Sequence, residues 1–290
     1  MYRQNVHMRA RRYRLLIRYK YQQKNIKNIK NICKYDILFV ILQQFIIVIM
    51  VNRLSKAQIK LVRSLQNKKT RDELQLFVAE GNKCINDLEG TFALRLKITL
   101  DNATPTEIAQ MSSLRTPPGV IAVFEKAKQQ PIDFSTNRLI LALDGIQDPG
   151  NLGTIIRTCD WFGIYDIICS KDTADCYNPK VVQATMGALA RVRMHYVDNL
   201  PQILSDFQEA NYPIYGTLLE GNNMYAPNSI PNKEFGIIVM GNEGNGISPA
   251  TREVLTHTLL IPSYNTNNTS ESLNVSIATA IILAEFRRPI

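Results

Sequence analysis

The chain has few of the residues that usually announce chemistry. It holds 5 cysteines and 3 histidines. Cys33, Cys84, Cys159, Cys169 and Cys176 are scattered, odd in number and without a C-x-x-C pair. That spacing indicates neither a disulfide framework nor a zinc site, and reduced intracellular thiols are the default. His7, His195 and His257 form no H-x-x-x-H pattern, so metal catalysis has no visible ligand set. Neither G-x-G-x-x-G nor a G-K-[ST] loop occurs, which removes the dinucleotide and P-loop fingerprints. A membrane-spanning helix wants roughly 20 apolar residues. The apolar run at residues 37–51 is shorter and is interrupted by Gln43 and Gln44, so a membrane protein is not expected. Acidic residues are scarce at one end only. Residues 1–51 carry eleven Lys/Arg against Asp36 alone, a balance of +10, which leaves 34 − 11 = 23 basic and 25 − 1 = 24 acidic residues beyond them. The formal charge of +9 therefore belongs to the leader, and the remainder is near neutral.

The leader is basic and aromatic before it turns apolar. It admits three readings: a targeting or anchor segment, although no small-residue cleavage site follows; a basic RNA-binding arm; or an extension upstream of a working start at Met50. Within the remainder, Arg53, Lys56, Lys60, Arg63, Lys68, Lys69 and Arg71 precede the first acid, Asp72. Such a patch can contact phosphates even on a near-neutral domain. It reads equally as a solvated helix face.

At 290 residues with 45% apolar content, the chain can bury the cores of two domains. Residues 52–126 read as a small α/β unit. Ile59, Val62 and Leu65 have helical spacing behind Ser55 as N-cap, and strand-like "LQLFVAEG", "LRLKITL" and "GVIAVFEK" alternate with two short helical segments. Residues 127–137 are polar, contain Pro131 and make a linker. From residue 138 to 290, short apolar strands alternate with helices, which specifies an α/β fold: a mostly parallel sheet with helices on both faces. Ligands in such folds bind beyond the carboxyl ends of the strands.

Three strand ends run into decorated loops. In "LALDGIQDPGNLGTIIRTCDWFG" (141–163) a tight turn opens a helix expected to begin near Asn151, with Arg157 in its second turn. On its own, Arg157 reads best as a solvated helix arginine. In "IIVMGNEGNGIS" (237–248) three glycines surround Glu243. A plain turn needs one or two, and the surplus suggests a nucleoside-type site. In "LLIPSYNTNNTSESLNVSIATA" (259–280) a polar loop leads to Ser272, Leu273 and Asn274. They cap a helix so apolar that it is expected to be largely buried.

Taken in order, these loops resemble the three motifs of the SpoU (TrmH-type) RNA ribose methyltransferases of the SPOUT superfamily. The first resembles N-x-G-x-x-x-R-x-x-x-x-F-G, with Asn151, Gly153, Arg157, Phe162 and Gly163 in place. The second is similar to G-x-E-G-x-G and the third to I-P…S-L-N-V-S. The match spans about 139–288, and residues 52–125 resemble the small substrate-binding domain that precedes it in many members. The resemblance implies methyl transfer from S-adenosyl-L-methionine to a ribose 2′-hydroxyl of rRNA or tRNA, a trefoil knot near the C-terminus, a homodimer and a cytoplasmic enzyme. It implies cofactor contacts around Gly241, Ile261 and Leu273, and a polar active site of Asn151, Arg157, Glu243, Ser272 and Asn274, in which Ser272 and Asn274 orient Arg157 and the ribose. The 53–71 patch would contact RNA. One departure stands out: the loop before Leu273 is about three residues longer than the family pattern and lacks its usual glycine after Ile-Pro. Two rivals remain. An inactive RNA-binding paralogue is opposed by the survival of all five polar motif residues. A nucleotide hydrolase would need a nucleophile–base pair or metal set, and the sequence shows neither.

Overall fold

The computed structural model describes residues 53–132, 138–265 and 272–289. The leader up to residue 52, residues 133–137 of the expected linker and residues 266–271 of the long loop lie outside them. The residues from Leu54 on belong to one unit.

The first part carries helices α1 (Lys56–Ser64), α2 (Lys68–Leu74), α3 (Asn82–Glu89) and α4 (Pro105–Met111) around strands β1 (Leu76–Glu80), β2 (Leu94–Ile98) and β3 (Ile121–Glu125). The strands form an antiparallel sheet in the order β1-β3-β2. Ser55 caps α1 in a capping box with Gln58, as its position suggests. The helical stretch then breaks rather than running on. Asn67 caps α2 by accepting from Lys69 N, and Arg71 Nη1 donates to Leu65 O and Gln66 O, each at 2.9 Å. Two carbonyls left open by the end of α1 are satisfied that way.

The second part holds β4 (Leu139–Asp144), α5 (Pro149–Trp161), β5 (Asp166–Ser170), α6 (Pro179–Thr185), a 3₁₀ turn (Ala188–Ala190), β6 (Arg193–Val197), α7 (Leu200–Glu209), β7 (Ile214–Asn223), β8 (Gly236–Gly241), α8 (Pro249–Arg252), β9 (His257–Leu260) and α9 (Val275–Phe286). Six strands pair in the order β6-β5-β4-β8-β7-β9, each neighbouring pair parallel. Strands β4, β5 and β8 are buried along nearly their whole length, with apolar central residues, because both of their faces are covered. Ile155, Ile156, Val181, Ile282 and Leu283, from α5, α6 and α9, pack one face. Leu200, Leu204 and Phe207 of α7 pack the other. The direction of chain progression reverses between β4 and β8, and their ends lie side by side, with Asp144 opposite Gly241. A doubly wound sheet keeps its ligand crevice at such a switch point.

The two sheets share a hydrophobic core. Phe77 and Phe92 meet Tyr177 at ring-centroid distances of 4.8 and 6.3 Å, and Thr91 Oγ1 donates to Ala190 O at 3.0 Å. Arg71 belongs to this joint and not to an RNA surface, which corrects the sequence reading. It is 2% exposed, and its Nε and Nη2 donate to Asp175 Oδ2 at 3.0 and 2.7 Å. The expected linker is fastened where it is described. Ala127 N donates to Tyr177 Oη at 3.1 Å, Gln129 Nε2 donates to Tyr196 O at 2.8 Å, and Gln130 O lies 3.3 Å from His195 Nδ1. Behind it, buried Asp166 faces His195 Nε2 at 2.8 Å and accepts from Arg193 at 2.8 and 2.7 Å.

Candidate active site

Helix α5 begins earlier than its motif suggests. Asp148 is the N-cap, accepting from Asn151 N at 2.8 Å, and Pro149 takes the first helical position. Asn151 is thus in the first turn and Arg157 in the third. Gly153 is a packing residue: a Cβ there would lie 2.4 Å from Ala184 Cβ, so its absence lets α5 and α6 approach. Helix α9 is capped by Asn274, whose Oδ1 accepts from Ser276 N at 3.0 Å and Ile277 N at 3.4 Å. Its side-chain amide points elsewhere. Asn274 Nδ2 donates to Asn151 Oδ1 at 3.0 Å, and Asn151 Nδ2 donates to Glu243 Oε1 at 3.0 Å. One polar chain therefore links all three loops, although 123 residues separate its two asparagines.

The β8 loop is shaped by Asn242, which the sequence reading passed over. Its Oδ1 accepts from Gly244 N and Asn245 N at 2.9 and 3.0 Å, and its Nδ2 donates to Gly145 O at 2.6 Å. An Asn ahead of glycines in a tight loop is the residue that makes an Asx turn, and that signal was available. The loop closes on itself through the Asn242–Gly246 pairing. A Cβ at Gly241 would meet Gly246 C at 2.2 Å, so glycine is required by the backbone alone.

Beside this chain lies a cavity of about 450 Å³, within the range of small-molecule sites. Its apolar lining includes Met240, Ile261, Leu273, Val275 and Ala278. Gly241, Glu243 and Ser272 line it too, so five of the residues singled out from sequence meet there. Leu273 is half-exposed, a side chain with an open face toward the cavity. Glu220 and Arg252 also line it and were not anticipated. Asn151 stands beside the cavity through its bond to Glu243, and Asn274 through its bond to Asn151. Arg157 is not brought to them. It is exposed and makes no hydrogen bond or ion pair with a described residue, and Asn274 bonds Asn151 in the position expected to face it. The expected orientation of Arg157 by Ser272 and Asn274 is not made in this structure.

Among the described residues, no three His, Cys, Asp or Glu side chains gather as metal ligands, and no helix is long and apolar enough to cross a membrane. The described cysteines are buried and free. Burial pushes the Cys84 thiol up to about 11, and it pushes Cys159, Cys169 and Cys176 up as well. None of them offers a thiolate nucleophile at neutral pH.

Comparison with known proteins identifies the family. The model of the SpoU rRNA methylase family matches residues 138–284, just over half of the chain, and the chain belongs to that family. A Bacillus subtilis relative, the 23S rRNA (guanosine(2553)-2′-O)-methyltransferase RlmP, is 28% identical over 78% of this chain and 94% of its own length. The Neisseria meningitidis 23S rRNA (guanosine-2′-O-)-methyltransferase RlmB is 37% identical over 54% of this chain and 60% of its own. Among solved structures, a TrmH-family protein from Porphyromonas gingivalis is 39% identical, with a TM-score of 0.72 over 81% of this chain and 98% of that one. An AdoMet-bound rRNA methyltransferase from Sinorhizobium meliloti is 27% identical, with a TM-score of 0.71 over 81% of this chain and 95% of that one.

Proposed function

We infer that this chain is an S-adenosylmethionine-dependent RNA methyltransferase acting on a ribose 2′-hydroxyl. The observation that carries the reading is the convergence of the three family loops: Asn274, Asn151 and Glu243 form one hydrogen-bonded chain at the mouth of a cavity of cofactor size. The cavity suits such a cofactor, with Ile261 and Leu273 as apolar faces for a flat base and the backbone around Gly241 for its polar edge. S-adenosylmethionine supplies an electrophilic methyl group carried on a sulfonium. The protein has to align a poor nucleophile and stabilise it as it loses its proton. Asn151 is fixed from both sides, its carbonyl by Asn274 and its amide by Glu243, which gives the polar chain one orientation. Glu243 keeps Oε2 for the reacting ribose. Arg157 is permanently cationic, and its role is to hold the target phosphate and stabilise developing negative charge, not to act as a base.

The RNA surface of this reading starts at α1. Lys56, Lys60 and Arg63 fall on one helix face, are exposed, and have no ion-pair partner among the described residues. Exposed Arg53 precedes them. Lys68 and Lys69 contribute less, because they pair with Asp72 and Glu73. The small sheet with α1–α4 is the substrate-binding part of this scheme, and residues 138–290 are the catalytic part.

The active form is a homodimer, and a cytoplasmic location follows from an RNA substrate and reduced thiols. Helix α9 is less buried than its composition suggests, with Ile277 52% exposed. It runs beside α5: Asn274 bonds Asn151 at one end, and Arg287 Nε donates to Phe162 O at 2.9 Å at the other. The outer stripe of α5 holds Arg157 and Trp161, the latter 85% exposed. Apolar residues open to water on two adjoining helices suit a second copy, and Arg157 in the same stripe would then stand at the edge of the shared site.

Calorimetry with S-adenosylmethionine tests the cofactor assignment. Binding to the folded protein, lost in Leu273→Asp, is the expected result. An intact protein that binds no cofactor refutes the reading.

A further inference from the structure

Strand β7 does not pair evenly with β9. Thr217 and Asn222 both face Leu259, so residues 218–221 leave the ladder as a bulge. Gly221 sits at its foot, where a Cβ would lie 2.7 Å from Leu259 C. Leu218, Leu219 and Glu220 of the bulge form one wall of the cavity described above, and the glycine-rich loop after β8 forms another. Arg252 ties the two walls together. Its Nη1 donates to Glu220 Oε1 at 2.6 Å, and its Nε donates to Ile247 O at 3.0 Å. Glu220 nevertheless remains open, with its side chain 64% exposed. Its Oε2 accepts from no described residue. A braced carboxylate oxygen thus lines a cavity whose other charged side chains are Glu243 and Arg252.

We propose that Glu220 accepts hydrogen bonds from the ribose diol of the cofactor's adenosine, with Arg252 as the positioning residue that holds it. The proposal rests on the cofactor occupying this cavity. S-adenosylmethionine offers an anion four partners: the sulfonium, the ammonium, the diol and the adenine 6-amino group, the last belonging to the polar edge assigned above to the backbone around Gly241. Glu220 and Arg252 together are neutral, so their joint pull on either cation is small in a solvent-open site. An anion against the sulfonium would also favour the starting state, because that charge disappears on methyl transfer. The diol needs only a directed acceptor, and it is the same before and after the reaction.

Binding measurements separate the possibilities without any turnover. Wild type, Glu220→Ala, Arg252→Met and Leu273→Asp are titrated by calorimetry with S-adenosylmethionine, S-adenosylhomocysteine, 5′-methylthioadenosine and the 2′,3′-dideoxy form of the last. Circular dichroism checks that each variant is folded. Hydrogen bonds to a charged acceptor contribute about 1.5–3 kcal/mol, so Glu220→Ala should weaken the three diol-bearing ligands by a common factor, roughly tenfold to a hundredfold. The dideoxy ligand should bind wild type and Glu220→Ala equally, and Arg252→Met should show the same split at smaller size. A loss confined to S-adenosylmethionine would assign Glu220 to the sulfonium and overturn the proposal. An equal loss for the diol and dideoxy ligands would move Glu220 from the ribose to the adenine amine or to wall packing and overturn the proposal, and no loss would remove it from the site. If Leu273→Asp also changes nothing, the cavity itself is misassigned, which is a different failure.

Discussion

Arg157 is the side chain on which turnover should depend without binding following. It is exposed, unpaired among the described residues and away from the cavity lining. Arg157→Ala should therefore keep wild-type cofactor affinity by calorimetry and lose roughly a hundredfold to a thousandfold in kcat, the scale for removing one transition-state donor. Methylation at the wild-type rate would remove it from the mechanism. Asp166 makes the opposite case, a buried charge far from chemistry. Burial alone would raise its carboxyl, but His195, Arg193 and Arg138 outweigh burial and hold it well below the usual carboxylate range. Its contribution to stability is full above that range and is lost as pH falls toward its own lowered value. Asp166→Asn should cost about 3–5 kcal/mol at neutral pH by urea denaturation. Its gap to wild type should shrink below about pH 4. A gap that is constant with pH would mean the carboxylate charge is not what holds that cluster.

At the scale of elements, the periodic parts were legible because each local rule agreed with the fold. Ser55 is a cap where the sequence places one. The apolar runs of β4, β5 and β8 are strands because both faces are covered. The misreadings come from long-range partners. Arg71 looks like part of a basic run, but its partner Asp175 lies 104 residues away. Asn151 looks like a cap because nothing local shows that Asp148 takes that position and frees its amide for Glu243. Glu220 is invisible in sequence because the bulge that exposes it depends on β9. Gly153 shows how a motif glycine can serve packing. Gly153→Ala should destabilise the protein by about 1–3 kcal/mol, the range for overpacking, by separating α5 from α6. Thermal denaturation reads this directly, and a variant as stable as wild type would mean the helices can shift apart freely.

Two predictions belong to the whole molecule. If the α5–α9 face joins two copies, wild type should elute with the mass of a dimer in size exclusion with light scattering. Trp161→Glu should shift it toward monomer while leaving circular dichroism intact. A monomeric wild type would sink the assembly and the shared site with it. If α1 meets RNA backbone, changing Lys56, Lys60 and Arg63 together to Gln should lower the slope of log affinity against log salt by about 2–3. An unchanged slope would move the RNA surface elsewhere. The joint between the two sheets makes both tests readable, since Arg71–Asp175 and the Phe77–Phe92–Tyr177 cluster hold α1 in a fixed relation to the crevice.

The central claim is methyl transfer to a ribose 2′-hydroxyl, and analysis of the product tests it most directly. The protein is incubated with unmodified rRNA or tRNA and S-adenosylmethionine labelled in its methyl group. The RNA is then digested to nucleosides and read by mass spectrometry. The prediction is a labelled nucleoside in which the ribose, not the base, carries the added methyl mass, formed far more slowly by Arg157→Ala. A label on a base, or equal ribose labelling by wild type and Arg157→Ala, would contradict it.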